Sequence, residues 1–222
     1  LLEALRKQKS DARFFQASSS EIFGDTNISP QNEKAPCLPR NPYGAAKLYA
    51  HQMVSVFRKQ FGMYAVSGIL YNHESPRRGP GFVTQKITMA AARIKNGVAK
   101  ELVLGDLQGR RDWGYAPEYA EVMWRMLQQK EPEDFVIATG VAHSVEEFVS
   151  EAFSYIGLDW HQYVKVEQYL ISRPDEILMV GDALHARMKL GWEPKTTFTE
   201  LVHLMVDEEM RSMDHKSALM EA

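Results

Sequence analysis

The sequence predicts an α/β fold, with a largely parallel β-sheet and a smaller lobe beside it. Apolar strand-like runs alternate with helix-like runs along most of the 222 residues, and neither an internal repeat nor a low-complexity tract interrupts them. Hydrophobic residues make up 45% of the chain, which is enough for a folded core and too much for intrinsic disorder. The net charge of −3 argues against a dedicated nucleic-acid binder, and no apolar run reaches the roughly 18–20 residues that a membrane span needs.

The first half of the chain carries the clearest local signals. Residues 13–17 read as a short buried strand, the serines 18–20 as a polar turn, and the proline-rich stretch 26–42 as a loop. A helix is predicted over 42–61, because Asn41 suits the N-cap, Pro42 the first helical position and Gly62 the C-terminal stop.

The remaining elements continue the alternation of strands and helices. In order, we predict a strand at 65–71, a loop at 72–81, a helix at 82–96, a strand at 101–104, a loop at 105–114, a helix at 117–129 and a strand at 134–139. Helices follow from Ser144 to Gly157, at 182–190 and at 197–210. Ser144 with Glu147, and Thr197 with Glu200, have the spacing of capping boxes.

Cysteine and histidine usage limits the type of site. Cys37 is the only cysteine, which excludes an internal disulfide and fits a reducing, cytoplasmic compartment. The seven histidines show no metal-ligand spacing, so we expect no metal.

Tyr43 and Lys47 stand four residues apart at the start of the predicted helix, so both project from one face. A free phenol, with a pKa of about 10, is a poor base at neutral pH, but a nearby ammonium and the positive helix N-terminus favour the phenolate. Such a pair can remove a proton from a sugar hydroxyl. The same spacing also arises by chance in many helices.

Ser19 and Glu21 follow directly after a predicted strand, some 22–24 residues before Tyr43. Parallel strands present the loops after their carboxyl ends to the ligand crevice, where a hydroxyl and a carboxylate can assist a second proton transfer. The alternative is a polar turn in which a serine caps the next segment.

Longer motifs add a family resemblance. Residues 17–21 and 42–47 resemble the extended short-chain dehydrogenase/reductase superfamily, and 68–79, 82–87 and 111–114 resemble the GDP-mannose 4,6-dehydratase family within it. The likeness runs from about Phe14 to Met210. It implies the carboxyl-terminal part of a doubly wound, Rossmann-like parallel sheet plus a smaller α+β substrate-binding lobe. Residues 1–71 would be the remainder of the NADP-binding domain with the catalytic residues. Residues 72–222 would form mainly the sugar-nucleotide lobe, with 115–140 returning to the first domain.

The resemblance also implies a reaction and a set of residues. GDP-mannose would be dehydrated to GDP-4-keto-6-deoxymannose, a step toward GDP-fucose, with bound NADP taking hydride from carbon 4 and returning it to carbon 6. Tyr43 would deprotonate the 4-hydroxyl, and Glu21 would take the proton from carbon 5 and, with Ser19, help water to leave. The implied catalytic residues are Ser19, Glu21, Tyr43 and Lys47. The implied cofactor contacts are Tyr43, Lys47, His73 and Arg78, and the implied GDP-sugar contacts are Asn72, Lys86, Arg111, Arg173 and Glu176.

The sequence departs from the family pattern in three places. Ser19 stands where many members have threonine, and the run 169–176 differs around Arg173. No Gly-x-Gly-x-x-Gly turn occurs, although the family binds the cofactor pyrophosphate on such a turn. We therefore expect a segment upstream of Leu1, little or no NADP binding by residues 1–222 alone, and no turnover.

Three alternatives remain open from the sequence. The first is the reaction above, performed by a homodimer or homotetramer. The second is a dehydratase or epimerase for another sugar nucleotide. The third is a non-enzymatic paralogue or remnant that acts through subunit contacts.

Overall fold

A computed structural model of the chain describes residues 1–167 and 178–220. Two compact units are present. The first contains Leu1–His73, Asp112–Val141 and Ile177–Lys195, and the second contains Glu74–Arg111, Ala142–Glu176 and Thr196–Ala222. The sequence analysis assigned 72–222 mainly to the sugar-nucleotide lobe, with 115–140 returning to the first domain, and this functional division stays a prediction.

Helices and strands alternate along the chain. In order, they are α1 (Leu2–Lys7), β1 (Phe14–Ser19), α2 (Pro42–Phe61), β2 (Ala65–Leu70), β3 (Asn72–Glu74), α3 (Val83–Lys95), β4 (Leu102–Leu104), β5 (Arg110–Tyr115), α4 (Ala116–Gln128), β6 (Phe135–Ile137), β7 (Ala142–Ser144), α5 (Val145–Tyr155), β8 (Val164–Val166), α6 (Leu184–Leu190) and α7 (Phe198–Met220). Two short 3₁₀ turns span Ser20–Ile22 and Trp160–Gln162.

The first unit is built on a parallel sheet with strand order β1-β2-β6. Alternate residues of β2 face opposite sides of this sheet. Val66 and Leu70 join a core with residues of α4 and α6, whereas Ile69 lies in a second core to which Leu48 of α2 contributes. Helices therefore cover both faces of a parallel sheet, which confirms the predicted α/β class.

The second unit is mainly helical, with α3, α5 and α7 packed against one another and β4 paired in parallel with β8. The predicted capping box of α5 is present, because the Ser144 hydroxyl accepts from the Glu147 N–H and the Glu147 carboxylate accepts from the Ser144 N–H, both at 3.0 Å.

Helix α2 has the predicted bounds, and its ends show why. The Asn41 side chain caps the N-terminus, Pro42 occupies the first position, and Gly62 ends the helix with a left-handed φ of 63°, which glycine adopts without strain. The other long helices also begin and end within about two residues of prediction, except that α7 continues to Met220.

Several strand predictions were wrong in extent. β1 continues through Ser18 and Ser19, because its parallel pairing with β2 extends to Leu70. The predicted loops at 72–81 and 105–114 contain β3 and most of β5, and β7 and β8 were not predicted. These strands are short or charged, so pairing partners rather than local composition determine them. Among the described helices, none is both long and apolar enough to cross a membrane.

Candidate active site

The carboxyl ends of β1 and β2 lie side by side, because the strands are parallel and Ser19 pairs with Leu70. The chain leaving β1 carries Glu21, and the chain leaving β2 carries Asn72 and His73. The structure therefore places these predicted site residues on adjacent strand ends, at the edge where parallel sheets bind ligands.

Ser19 is the last residue of β1 and also caps the 3₁₀ turn that follows it. Its hydroxyl oxygen accepts a hydrogen bond from the Glu21 N–H at 3.2 Å, and the residue is 9% exposed. Ser19 therefore caps the turn, as in the structural alternative, and it is also the serine proposed to take part in catalysis. Since the oxygen is the acceptor in this contact, the hydroxyl proton can still be donated elsewhere.

The first turn of α2 packs closely against the 3₁₀ turn that carries Glu21. Asn41 accepts from the Gly44 N–H through Oδ1 at 2.7 Å and donates from Nδ2 to Glu21 Oε2 at 2.8 Å. Gly44 is buried, and a Cβ added there would lie 2.5 Å from the Glu21 carbonyl oxygen. The close approach of the two segments therefore requires glycine at position 44.

Tyr43 and Lys47 project from this turn as predicted. The Lys47 ammonium lies 5.5 Å from the centroid of the Tyr43 ring and donates to the Ala17 carbonyl of β1 at 3.0 Å. Lys47 therefore spans from the tyrosine to the strand that ends in Ser19. Tyr43 is 55% exposed, so solvent and small molecules can reach its ring.

His73 is held in one orientation by two contacts within the first unit. Nδ1 lies 2.8 Å from the Tyr71 carbonyl oxygen, and the ring stacks on Tyr119 with centroids 5.0 Å apart. Because a carbonyl can only accept, Nδ1 carries the proton and Nε2 can accept a hydrogen bond from a ligand.

In the second unit, the predicted cofactor residue Arg78 has protein partners. Its guanidinium is 3.0 Å from the Glu74 carboxylate and lies 3.5 Å above the centre of the Phe82 ring. Glu74 is buried and also accepts from the Thr84 hydroxyl at 2.6 Å. These contacts fix the arginine against its own loop.

The predicted GDP-sugar residues in the second unit are exposed or half-buried cations. Lys86 donates to the Val103 carbonyl at 2.6 Å, and Arg111 to the Arg110 carbonyl at 2.8 Å. Both acceptors are neutral. The remaining predicted contacts, Arg173 and Glu176, lie outside the described residues.

Two buried groups near the strand ends were missed from the sequence. The fully buried Gln31 accepts from the Tyr71 hydroxyl at 2.6 Å and donates to the Leu178 carbonyl at 3.1 Å. The 1% exposed Asp112 accepts from Gly181 and, at 2.6–2.9 Å, from Thr139 and Gly140. Burial raises the pKa values of Asp112 and Tyr71, and the hydrogen bonds to Asp112 oppose this rise.

Gln31 has no local sequence signal, since its partners lie far along the chain. Together, Gln31 and Asp112 tie residues 178–181 to the sheet of the first unit. Asp112 lies in the family-like run 111–114, but the sequence analysis took only Arg111 from that run as a site residue.

Comparison with known proteins gives consistent results. A sequence profile described as GDP-mannose 4,6 dehydratase matches residues 1–205. GDP-mannose 4,6 dehydratase 2 of Arabidopsis thaliana is 47% identical over 227 residues, which cover 100% of this chain and 60% of that protein. GDP-mannose 4,6 dehydratase of Homo sapiens is 46% identical over 221 residues, which cover 90% of this chain and 59% of that protein. The chain thus spans about three fifths of the length of these relatives.

A solved structure supports the fold independently. RMD from Pseudomonas aeruginosa, determined in complex with NADPH, superposes with a TM-score of 0.88 at 21% identity. The superposition covers 96% of this chain and 71% of that one.

Proposed function

The chain belongs to the GDP-mannose 4,6-dehydratase family, and we propose that the complete protein dehydrates GDP-mannose to GDP-4-keto-6-deoxymannose with bound NADP. One observation carries the proposal beyond similarity. The hydroxyl of Ser19, the carboxylate of Glu21 and the Tyr43–Lys47 pair lie on two segments that the structure packs together at the carboxyl end of a parallel sheet.

Tyr43 is the proposed base for the 4-hydroxyl of the mannose. The Lys47 ammonium lies 5.5 Å from the centre of the Tyr43 ring, and Tyr43 is the second residue of α2, so two sources of positive charge lie beside the proposed base. The hydrogen bond from Lys47 to Ala17 keeps the ammonium in place.

Glu21 and Ser19 are the proposed pair for loss of water. A ketone at carbon 4 makes the proton on carbon 5 acidic, and Glu21 is the carboxylate that accepts it. Ser19 Oγ already accepts from the Glu21 N–H, so its proton is available to the oxygen that leaves carbon 6.

Binding of the cofactor and the nucleotide is assigned to residues with suitable donors. When bound, NADP supplies reversible hydride acceptance. Lys47, Tyr43 and His73 fit its nicotinamide ribose, because they offer two donors and the accepting Nε2 at adjacent strand ends. Arg78 is a further proposed cofactor contact.

The proposed GDP-sugar contacts are Asn72, Lys86, Arg111, Arg173 and Glu176. Cationic side chains suit a diphosphate, because each N–H bond to a phosphate oxygen is charge-assisted. A carboxylate such as that of Glu176 suits the two N–H donors on one edge of guanine.

The test uses the complete protein with GDP-mannose and catalytic NADP, and follows the 4-keto-6-deoxy product by NMR. We expect product from the wild type and a loss of about 10²–10⁴-fold in Tyr43→Phe, which removes the base but leaves an exposed ring in place. The isolated 222 residues are expected to give no turnover.

A panel of GDP, UDP and dTDP sugars separates the alternatives. Preference for a UDP or dTDP sugar would indicate a sibling dehydratase or epimerase, and inactivity on every sugar would favour a non-enzymatic role. Light scattering on the complete protein tests the proposed homodimer or homotetramer.

A further inference from the structure

Asn41 contacts both segments that carry the proposed catalytic residues, the 3₁₀ turn with Glu21 and the first turn of α2 with Tyr43. Its backbone precedes α2, whose second residue is Tyr43, and its side chain makes one hydrogen bond to each segment. Oδ1 accepts from the Gly44 N–H at 2.7 Å, and Nδ2 donates to Glu21 Oε2 at 2.8 Å.

The orientation of the amide follows from its partners. The Gly44 N–H can only donate, so it requires the oxygen of the Asn41 amide. The nitrogen must then face Glu21, whose ionised carboxylate can only accept. A flipped amide would place two donors against each other and two acceptors against each other.

We propose that Asn41 is a positioning residue that fixes the Glu21 carboxylate relative to Tyr43, an inference that rests on the proposed function. The planar amide acts as a rigid link of two hydrogen bonds between the N-terminus of α2 and one carboxylate oxygen. The same turn also fixes the backbone of Glu21, because Gly44 lies against its carbonyl oxygen.

In this proposal Asn41 takes no part in proton transfer, which Glu21 performs. Asn41 has no proton to exchange at neutral pH, and it occupies only Oε2. The described part of the chain provides no hydrogen bond to Oε1, so this oxygen can face carbon 5 of the sugar. Misplacement of a general base by about 1 Å can reduce a rate by about 10²-fold, so loss of the link should affect turnover more than binding.

Two substitutions separate this role from helix capping. Asn41→Asp retains an N-cap acceptor for Gly44 but places a second carboxylate against Glu21. Asn41→Ser also retains an N-cap acceptor, but its hydroxyl is too short to reach Glu21 as a donor. Asn32→Ser is the matched control. The Asn32 side chain accepts a similar hydrogen bond, from the Lys34 N–H at 3.0 Å, and Asn32 is not one of the proposed site residues.

The experiment measures kcat, KM and thermal midpoint for the complete protein, with GDP-mannose carrying protium or deuterium at carbon 5. For Asn41→Asp we expect kcat to fall about 100-fold, and for Asn41→Ser about 10-fold, with KM within about threefold of wild type. The isotope effect on kcat should rise in both, because proton removal from carbon 5 becomes slower. The thermal midpoint should fall by only a few degrees, since both variants keep the cap of α2 and lose one part-buried hydrogen bond, and the control should match the wild type.

The possible failures are distinguishable. A wild type without dehydratase activity would overturn both the proposed function and this role. An active wild type with unaltered Asn41 variants would overturn the role of Asn41 alone. A fall in kcat without a larger isotope effect would show that Asn41 does not position the base at carbon 5 and would also overturn the proposal.

Discussion

Substitution of Gly44 by alanine tests the packing that brings Tyr43 and Glu21 together. Inside a helix, alanine is normally more stable than glycine by roughly 0.5–1 kcal/mol. Here the added Cβ would lie 2.5 Å from the Glu21 carbonyl oxygen, about 0.8 Å inside an ordinary C···O contact of roughly 3.3 Å. The obstacle is backbone, so it cannot be relieved by rotating a side chain.

The balance of these two effects fixes the sign. Overpacking of this kind costs about 1–3 kcal/mol, which exceeds the helix-propensity gain in most of its range. We therefore expect Gly44→Ala to lower the free energy of unfolding by about 1–2 kcal/mol. For a chain of roughly 150–250 residues, each kcal/mol of lost stability lowers the thermal midpoint by about 2–4 °C, so we expect a decrease of several degrees. Turnover should fall further, because the first turn of α2 must move away from Glu21.

The assay is thermal unfolding and steady-state kinetics of the complete protein beside Gly81→Ala. Gly81 has no heavy atom within 4 Å of an added Cβ, so its substitution should leave both stability and rate close to wild type. A Gly44→Ala variant that is more stable than wild type, with unchanged turnover, would refute the reasoning.

Two predictions concern stability elsewhere in the chain. Asp134→Ala should lower the free energy of unfolding by about 3 kcal/mol, measured by chemical denaturation. It removes two hydrogen bonds of 2.6–2.9 Å from Arg58 and leaves that mostly buried guanidinium without its carboxylate. The control is Glu121→Ala, which breaks an exposed ion pair with Arg125 and should lower the free energy of unfolding by less than about 1 kcal/mol. Burial raises the pKa of Glu147, but the hydrogen bond from the Ser144 N–H and nearby positive charges lower it further, to a net decrease. Because the pKa of Glu147 is lower in the folded state, its ionised carboxylate stabilises the fold at pH values above the usual glutamate pKa. This stabilisation is lost as the pH falls through the lowered pKa. In Glu147→Gln, the free energy of unfolding should therefore decrease less on acidification than in the wild type, by about 0.5 kcal/mol. The effect is small because Glu147 is partly exposed. The same pH dependence of unfolding in variant and wild type would contradict this prediction.

The elements predicted well from the sequence have signals within a few residues. Helix α2 is bounded by Asn41, Pro42 and Gly62, and each of these acts through its own side chain or backbone angle. The capping box of α5 is likewise local. By contrast, β5 is rich in charged residues and forms because other strands pair with it, which no local pattern reveals.

The candidate site shows the same division. The types and spacing of Ser19, Glu21, Tyr43 and Lys47 indicated candidate residues, the family resemblance supplied the reaction, and their catalytic roles stay a prediction. The sequence could not show that Asn41 bonds to a carboxylate twenty residues earlier, or that Gly44 is needed for clearance from a backbone oxygen. Those facts depend on how two separate segments pack.

The most direct test of the account is the fate of the hydrogen on carbon 5. The complete protein is incubated with GDP-mannose in D₂O, and NMR is used to detect the isotope on carbon 5 of any product. If Glu21 is the base, it removes the original proton and solvent supplies the replacement, so we expect deuterium there, and we expect Glu21→Gln to form no such product. Protium retained at carbon 5, or full activity of Glu21→Gln, would contradict the assignment of Glu21 as the base in this site.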